Sequence, residues 1–429
     1  GAEEGAAAAE ARLAELEARI SEERARLRRE AAAGPGGVNA ASGFVTFARR
    51  REAEMAQGLR YSADRDKWLV SAAPDAETII WRDLTLPRWR VVAGRLVGYA
   101  VVVAIYIFFT PICAVITSAA KLVHAGPLQP LWAGLVPTIG LQIMLAMMPT
   151  LLLLIFDQCF ALKAEVWAQH QLQIWYFVFQ LVFVVLVSAV GNSLAGSLRD
   201  LAEEPLSIFA LLAGSLPQAT HFFMNYLVLQ WASHSMSLLR HANLAKFLLW
   251  RALYSEDEAR ELAEPEDQAF QGCGSRYSRL MTVMAICLVF STLSPLVAPL
   301  SFALFGLCRL VYGYLLVSAE TKKSDLGGAF WVTQLKHVQA AAMLYCALMV
   351  GVLKGRAADD GPWIIAAPAL LFMLCTYVRF NVTFDWTSLP FEEVHRIPEG
   401  EAKGGEAPEE VYVQPELLED GQPPSLGDA

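Results

Sequence analysis

Residues 214–240, GSLPQATHFFMNYLVLQWASHSMSLLR, decide how the whole chain is read. The stretch is apolar enough to lie in a bilayer, yet Pro217, Gln218, Thr220, His221, Asn225, Gln230, Ser233 and His234 interrupt it. A polar group left unpaired in hydrocarbon costs free energy, so a helix that only anchors has no use for so many. Pro217 also removes a backbone donor and is expected to break the helix, a break tolerated only against protein or water. Two readings follow. Either the polar groups line a path through the membrane, or they bond one helix to the next.

The flanking sequence has the same character. Only 18% of the 429 residues are charged, and the mean hydropathy is +0.38, which marks a polytopic membrane protein. Apolar runs near the ~20 residues that cross a bilayer occupy 92–119, 131–156, 172–197, 208–236, 280–297, 300–317, 331–353 and 363–382. One helix over 280–317 would be roughly 55 Å long, too long for ~30 Å of hydrocarbon. Pro295 and Pro299 are therefore expected to split it into a hairpin. The eight runs leave both ends of the chain on one side. That side carries Arg88, Arg90, Lys163, Arg240, Lys246, Arg251, Arg276, Arg279, Lys322, Lys323 and Arg396, against Lys121, Arg199, Lys354 and Arg356 on the other, so the termini are expected to be cytoplasmic. Asn381-Val382-Thr383 spells a glycosylation acceptor that this topology keeps bare.

The ends differ from the middle. Residues 1–90 read as part of a small α/β domain of RNA-recognition type: a charged helix over 7–30, strands at 43–47 and 68–71, and a helix near 49–57. The run GFVTF at 43–47 matches the end of the RNA-recognition signature, whose aromatics stack on bases. Ser42 stands where the upstream aromatic belongs and the leading basic residue is absent, so strand core is the better reading and no nucleic-acid partner is expected. Residues 91–385 form the membrane domain. Residues 238–277 begin as an amphipathic loop (Leu239, Leu244, Phe247, Leu248), and the acidic tail 386–429 is expected to be disordered. The net charge of −9 comes largely from these ends. A first residue of Gly and the lack of a signal peptide suggest a piece of a longer protein.

No enzyme constellation stands out. His221 and His234 lie thirteen residues apart with no acidic residue between them, and neither a Walker loop, G-x-S-x-G nor H-E-x-x-H is present. The seven cysteines show no C-x-x-C pair, so no metal site, disulfide framework or cofactor is expected. What remains is a wall. Gln180, Ser188 and Asn192 share one face of the third run, with Phe177, Phe179 and Phe183 beside them. Apolar rings next to polar groups are how a pore gates by dewetting, although a core stripe looks similar. Asp157 and Glu165, at a cytoplasmic end, suit an acidic mouth or ordinary solvation.

With these residues in view the chain resembles the OSCA family of osmotically and mechanically gated cation channels, which includes yeast stress-gated channels and animal transmembrane-63 proteins. LEARISEERARL (16–27) followed by GFVTF is similar to the family's cytosolic loop, and APDAETIIWRDL (73–84) to the segment leading into its third helix. TPICAV (110–115), MPTLL (148–152) and YFVFQL (176–181) fall in the family's order. LPQATHFFMNY (216–226) resembles its LP-x-x-A-x-F-F-x-x-Y signature, and Ser294-Pro295 with Pro299 its proline-broken hairpin.

The resemblance implies an all-α, anoctamin-like channel fold, a homodimer with a pore in each protomer, and membrane lipids and cations, calcium among them, as partners. It implies a calcium-permeable, mechanically or osmotically gated cation channel in the plasma membrane or an endomembrane. The pore would be lined by Gln180, Phe183, Ser188, Asn192, Gln218, Asn225, Tyr226 and Gln230, with hinges at Pro217 and Ser233. Plant relatives carry Lys where Gln218 stands, and many carry Gly at the position of Ser233. A lipid scramblase is the alternative, because an anoctamin-like groove exposes a polar track to headgroups. A nonconducting scaffold comes third.

Overall fold

The computed structural model describes residues 2–32, 38–40, 42–64, 67–122, 129–182, 207–264, 266, 271–321, 323–384, 391–396, 412 and 414. Its chain divides into two compact units, one of 1–92, 161–165 and 388–429, the other of 93–160 and 166–387.

The first unit opens with α1 (Ala2–Ala32), followed by α2 (Arg50–Gly58) and the short α3 (Trp81–Leu84). Neither 43–47 nor 68–71 is a strand, and the described residues contain no sheet. A strand is stable only when neighbours take up its N–H and C=O groups, and neither run finds one among the described residues. Val45, Leu69 and Trp68 point outward instead, Trp68 with a positive φ of 56°. One isolated bridge, Ile79 to Ala164, is the nearest thing to pairing. Asp83 reinforces it, because its buried carboxylate accepts the backbone N–H groups of Leu162 (3.0 Å) and Lys163 (3.3 Å). Part of the tail is ordered too. α14 (Phe391–Arg396) buries Val394 and packs on α2, with Arg51 Nη2 2.7 Å from His395 Nδ1. The rest of the tail, Tyr412 and Gln414 apart, lies outside the described residues.

The second unit is built of helices joined by short turns among its described residues. Its long helices are α4 (Arg88–Leu122, whose first turn belongs to the other unit), α5 (Gln129–Cys159), α6 (Glu165–Gln180), α7 (Ser207–Met236), α10 (Cys273–Phe290), α11 (Val297–Tyr314), α12 (Ala329–Arg356) and α13 (Gly361–Thr383). Four described segments are long and apolar enough to cross a membrane: Arg88–Phe109, Val297–Ala319, Leu326–Arg356 and Gly361–Thr383. The protein is an integral membrane protein. α10 and α11 separate over 291–296, where Pro295 falls, and Pro299 sits in the first turn of α11, which lacks intrahelical N–H partners anyway.

Two short helices join α7 to α10. α8 (His241–Trp250) and α9 (Glu256–Ala263) lie side by side, and Asn243 Nδ2 donates to the carbonyls of Ala263 (2.8 Å) and Glu264 (3.2 Å). A capping box starts α9: the Glu258 carboxylate accepts from the Ser255 backbone N–H, and three acidic residues in the first turn suit the positive end of its dipole. Leu244, Leu248 and Leu249 of α8 remain exposed. At the start of α12, Gly327 and Gly328 take positive φ (65° and 90°), a backbone that a residue with a Cβ enters at a cost, while Asp325 accepts the Gly327 N–H at 3.0 Å.

Candidate functional site

The site is a polar seam inside the second unit, built where α6, α7, α10, α11 and α12 pack together. α7 presents Leu216, Ala219, Thr220, Phe223, Tyr226, Leu227, Gln230 and His234 inward, a three-and-four spacing that keeps one helical face on the protein. That face meets α11 and α12 and, less extensively, α5 and α10. The opposite face, with His221, Asn225 and Val228, is exposed. The helix runs on through Pro217 and Ser233 rather than breaking at the proline, and both residues are half-buried. It ends in a 3₁₀ turn (Ser237–Leu239), after which Arg240 turns left-handed at φ 42° and redirects the chain into α8.

α6 supplies the facing wall. Gln180 is 1% exposed and its Oε1 accepts from Thr282 Oγ1 of α10 at 2.9 Å. One turn earlier Tyr176 donates to the Leu145 carbonyl of α5 (2.9 Å), and Gln173 Nε2 donates to the Phe330 carbonyl of α12 (3.1 Å). Ser278 of α10 returns a bond to the Gln173 carbonyl at 2.9 Å. Phe177 stacks on His337 with centroids 4.0 Å apart, and His170 Nε2 lies 2.8 Å from Thr333 Oγ1. α6 and α10 approach so closely at Gly274 that a Cβ there would collide with the Gln169 carbonyl.

From α7, Gln230 bonds the Tyr226 hydroxyl, His234 Nδ1 bonds the Tyr312 hydroxyl of α11, and Trp231 Nε1 donates to the Leu300 carbonyl at 3.3 Å. The seam is not fully satisfied. Among the described residues nothing pairs with the buried atoms Gln173 Oε1, His234 Nε2, Ser301 Oγ and His337 Nδ1. Buried polar atoms left so are costly in an apolar bundle and are the natural contacts of water or a passing ion.

Two buried ion clusters tie the seam's end. Arg276 of α10 grips Glu320 in a two-pronged bond (3.1 and 2.8 Å), Lys323 adds a third at 2.7 Å, and the guanidinium lies 4.6 Å over the Tyr312 ring. A π-helical turn over Leu315–Ala319 delivers Glu320 to this place. Burial alone would raise the Glu320 carboxyl, but the bonds from Arg276 and Lys323 outweigh it and hold the group below its ordinary range. In the second cluster Glu266 accepts Arg240 Nη2 at 2.9 Å and Thr321 Oγ1 at 2.8 Å, which joins the end of α7 to the segment after α11.

Of the residues expected to line a pore, Gln180, Tyr226 and Gln230 are buried on the seam, and Asn225 lies on the exposed face of α7. Phe183, Ser188 and Asn192, and the side chain of Gln218, lie outside what the structure describes. Asp157 is exposed at the end of α5. Sequence reasoning counted Arg276, Arg240 and Lys323 only as topology markers and passed over Glu320 and Glu266. An Arg-x-x-Arg entering an apolar helix was the available signal, since such charges need buried partners.

Residues 88–353, which hold α4 to α11 and nearly all of α12, match the family described as calcium-dependent channel, 7TM region. Similar proteins include hyperosmolality-gated Ca2+ permeable channel 1.8 of Arabidopsis thaliana, 25% identical over 82% of this chain and 45% of that protein. CSC1-like protein ERD4 of Brassica juncea is 26% identical over 80% of this chain and 50% of that protein. Hyperosmolality-gated Ca2+ permeable channel 1.5 of Arabidopsis thaliana is 24% identical over 76% and 45%. The chain thus spans about half the length of the curated relatives it matches. With the family match covering well over half of its residues, the chain belongs to the calcium-dependent channel family, whose 7TM region it contains.

Proposed function

We propose that this chain is the pore-forming part of an osmotically or mechanically gated, calcium-permeable cation channel. One observation carries the reading. Inside an apolar bundle of this family, α6, α7, α10 and α12 bury a row of neutral polar side chains, several with atoms that no group among the described residues satisfies. Ions would pass beside α6 and α7, along Gln180, Phe183, Ser188, Asn192, Gln218, Asn225, Tyr226 and Gln230. The bond from Thr282 to Gln180 and the contact between Tyr226 and Gln230 belong to a closed seam, and opening would exchange them for water and cations.

The same reading puts both termini in the cytoplasm, gives the spans an anoctamin-like arrangement and pairs two copies in a homodimer. The exposed leucines of α8, beside Lys246 and Arg251, suit a helix lying in the membrane interface. An α/β reading of 1–90 requires that 43–47 pair with strands supplied by other segments of the full-length protein.

The test is patch recording from cells expressing the full-length protein that contains this chain, under negative pressure and under hyperosmotic shock. Tension-dependent cation current with a calcium component is expected, and Asn225→Asp is expected to change conductance or cation preference. Membranes that express the protein yet stay silent under both stimuli would end the channel reading. Currents untouched by Asn225→Asp would take the exposed face of α7 out of the path and leave the buried seam of Gln180, Tyr226 and Gln230.

A further inference from the structure

The run GFVTF, which resembles part of a base-stacking signature, has an aromatic partner of its own within this chain. Phe44 stacks on Tyr412 with centroids 4.5 Å apart and planes 12° from parallel. Trp81 packs edge-on against Phe44, with centroids 6.0 Å apart, and so backs the ring that Tyr412 stacks on. The Tyr412 hydroxyl donates to the Pro74 carbonyl at 3.0 Å, which fixes the ring's position over Phe44. Two further tail segments meet the same unit: α14 packs on α2, and Gln414 lines a groove beside Leu16, Ile20 and Leu27 of α1. An acidic, Pro/Glu/Gly-rich tail has few anchors, so a single tyrosine that fills a slot stands out.

We propose that Phe44, backed by Trp81, and the Pro74 carbonyl form a docking site for a neutral tyrosine side chain in an acidic peptide, occupied in cis by Tyr412 as a releasable latch. A planar ring is required by the stack and a protonated hydroxyl by the carbonyl acceptor. Burial first, and then the neighbouring Asp75, push the phenol's pKa above its ordinary value, so the neutral form is the one that fits. An anionic group on the ring would lose the donor and meet Asp75 as a like charge, so it would expel the side chain. By chain connection Trp81 stands shortly before α4 and the tail follows α13, so the latch links the segment entering the first long membrane helix with the one leaving the last.

The occupied slot gives a direct test in the full chain, purified in detergent. The probe is a fluorescein-labelled synthetic peptide of residues 406–420, read by fluorescence anisotropy. Wild type should not bind it, because the tethered copy competes at roughly millimolar effective concentration. Tyr412→Ala empties the slot and should bind the probe. Adding Phe44→Ala, or placing phosphotyrosine in the peptide, should weaken that binding at least about tenfold, the worth of a stack plus a hydrogen bond. A peptide with a photoreactive benzoylphenylalanine in place of its tyrosine should cross-link to Phe44 or Trp81 in Tyr412→Ala, which localises the site even if Phe44→Ala misfolds. Equal binding by wild type and Tyr412→Ala, no binding by Tyr412→Ala, or cross-linking elsewhere would overturn the proposal. None of these readouts depends on channel activity.

Discussion

α7 and α13 are both largely apolar, proline-containing helices of membrane-crossing length, and the structure uses them in opposite ways. α7 carries Thr220, Tyr226, Gln230 and His234 on its buried face. α13 is apolar from Trp363 to Cys375, its polar residues falling in the last two turns, and not one of its residues is buried in the protomer. A soluble protein would sort them the other way. In a bilayer the apolar helix faces the solvent, which is lipid, and the polar helix goes where protein can satisfy it. Polarity rather than apolar character marks the interior.

The largest effect should come from breaking the charged end of that interior. The Arg276 and Glu320 side chains are only 5% and 3% exposed, so Glu320→Ala strands two cations in a buried place. A loss of roughly 3–5 kcal/mol is expected, read as a fall in thermal midpoint in detergent. Glu320→Gln, which keeps the shape and loses the charge, should cost less. The sign with pH follows from a folded carboxyl held below its ordinary 4.5. The charge contribution is fully present above 4.5 and disappears as pH falls through the lower, folded value, so wild type and Glu320→Gln should converge there. A gap that widens in acid would mean that the clamp does not control the carboxyl.

The opposite face of the comparison is tested on α13. Ile365 is 81% exposed, so Ile365→Ala should leave thermal stability in detergent unchanged. Ile365→Asp should instead penalise membrane insertion by up to about 3 kcal/mol, measured by glycosylation mapping of the inserted fraction. If Ile365→Ala destabilised the protein, the face of α13 that carries Ile365 would be packing against something outside the protomer, and a second copy would be the first candidate. Between these extremes lies the contact of α6 with α10. Gly274→Val must push against a backbone carbonyl rather than a movable side chain, and roughly 1–3 kcal/mol of destabilisation is expected in the same thermal assay.

How much of this was legible in the sequence depends on how far apart the partners lie. The break between α10 and α11 was written locally, in Pro295 and Pro299, and the described long helices overlap the apolar runs, although the third run, 172–197, lies outside the described residues beyond 182. The polar face of α7 was visible as a list of interruptions, but not which of them turn inward. Gln180 was visible as a polar residue on an apolar span, whereas its partner Thr282 is 102 residues away. Glu320 and Arg276 pair across 44 residues, and nothing local distinguishes them from interfacial charges. Residues 43–47 have a strand's composition, yet a strand needs a neighbour and composition cannot supply one. In the described part of the tail the reverse holds: Val394 and Tyr412 are single anchors, too sparse to register as an apolar cluster.

The smallest effect sharpens the comparison at the point where α7 leaves the buried seam. Ser233 is helical, and Ser237 Oγ donates to its carbonyl at 3.3 Å, but within one turn the winding tightens to 3₁₀ and then reverses at Arg240. Glu266 holds Arg240 at the end of α7, so a bend of the helix has to be absorbed within it, near Ser233 or at Pro217. Glycine has more backbone freedom to lose than serine, so Ser233→Gly should weaken the helical form by roughly 0.5 kcal/mol. That is about a twofold shift toward a bent form in a two-state equilibrium. In the channel proposed for the full-length protein it should appear as an open-probability curve displaced to lower tension at equal expression. α13 offers the control, since glycine at exposed Leu371 should cost its helix a comparable amount without moving the curve. A Ser233→Gly curve that overlays wild type would place the bend at Pro217. A curve displaced to higher tension would make the bent helix the closed one, with the continuous α7 seen here belonging to the open side of the equilibrium.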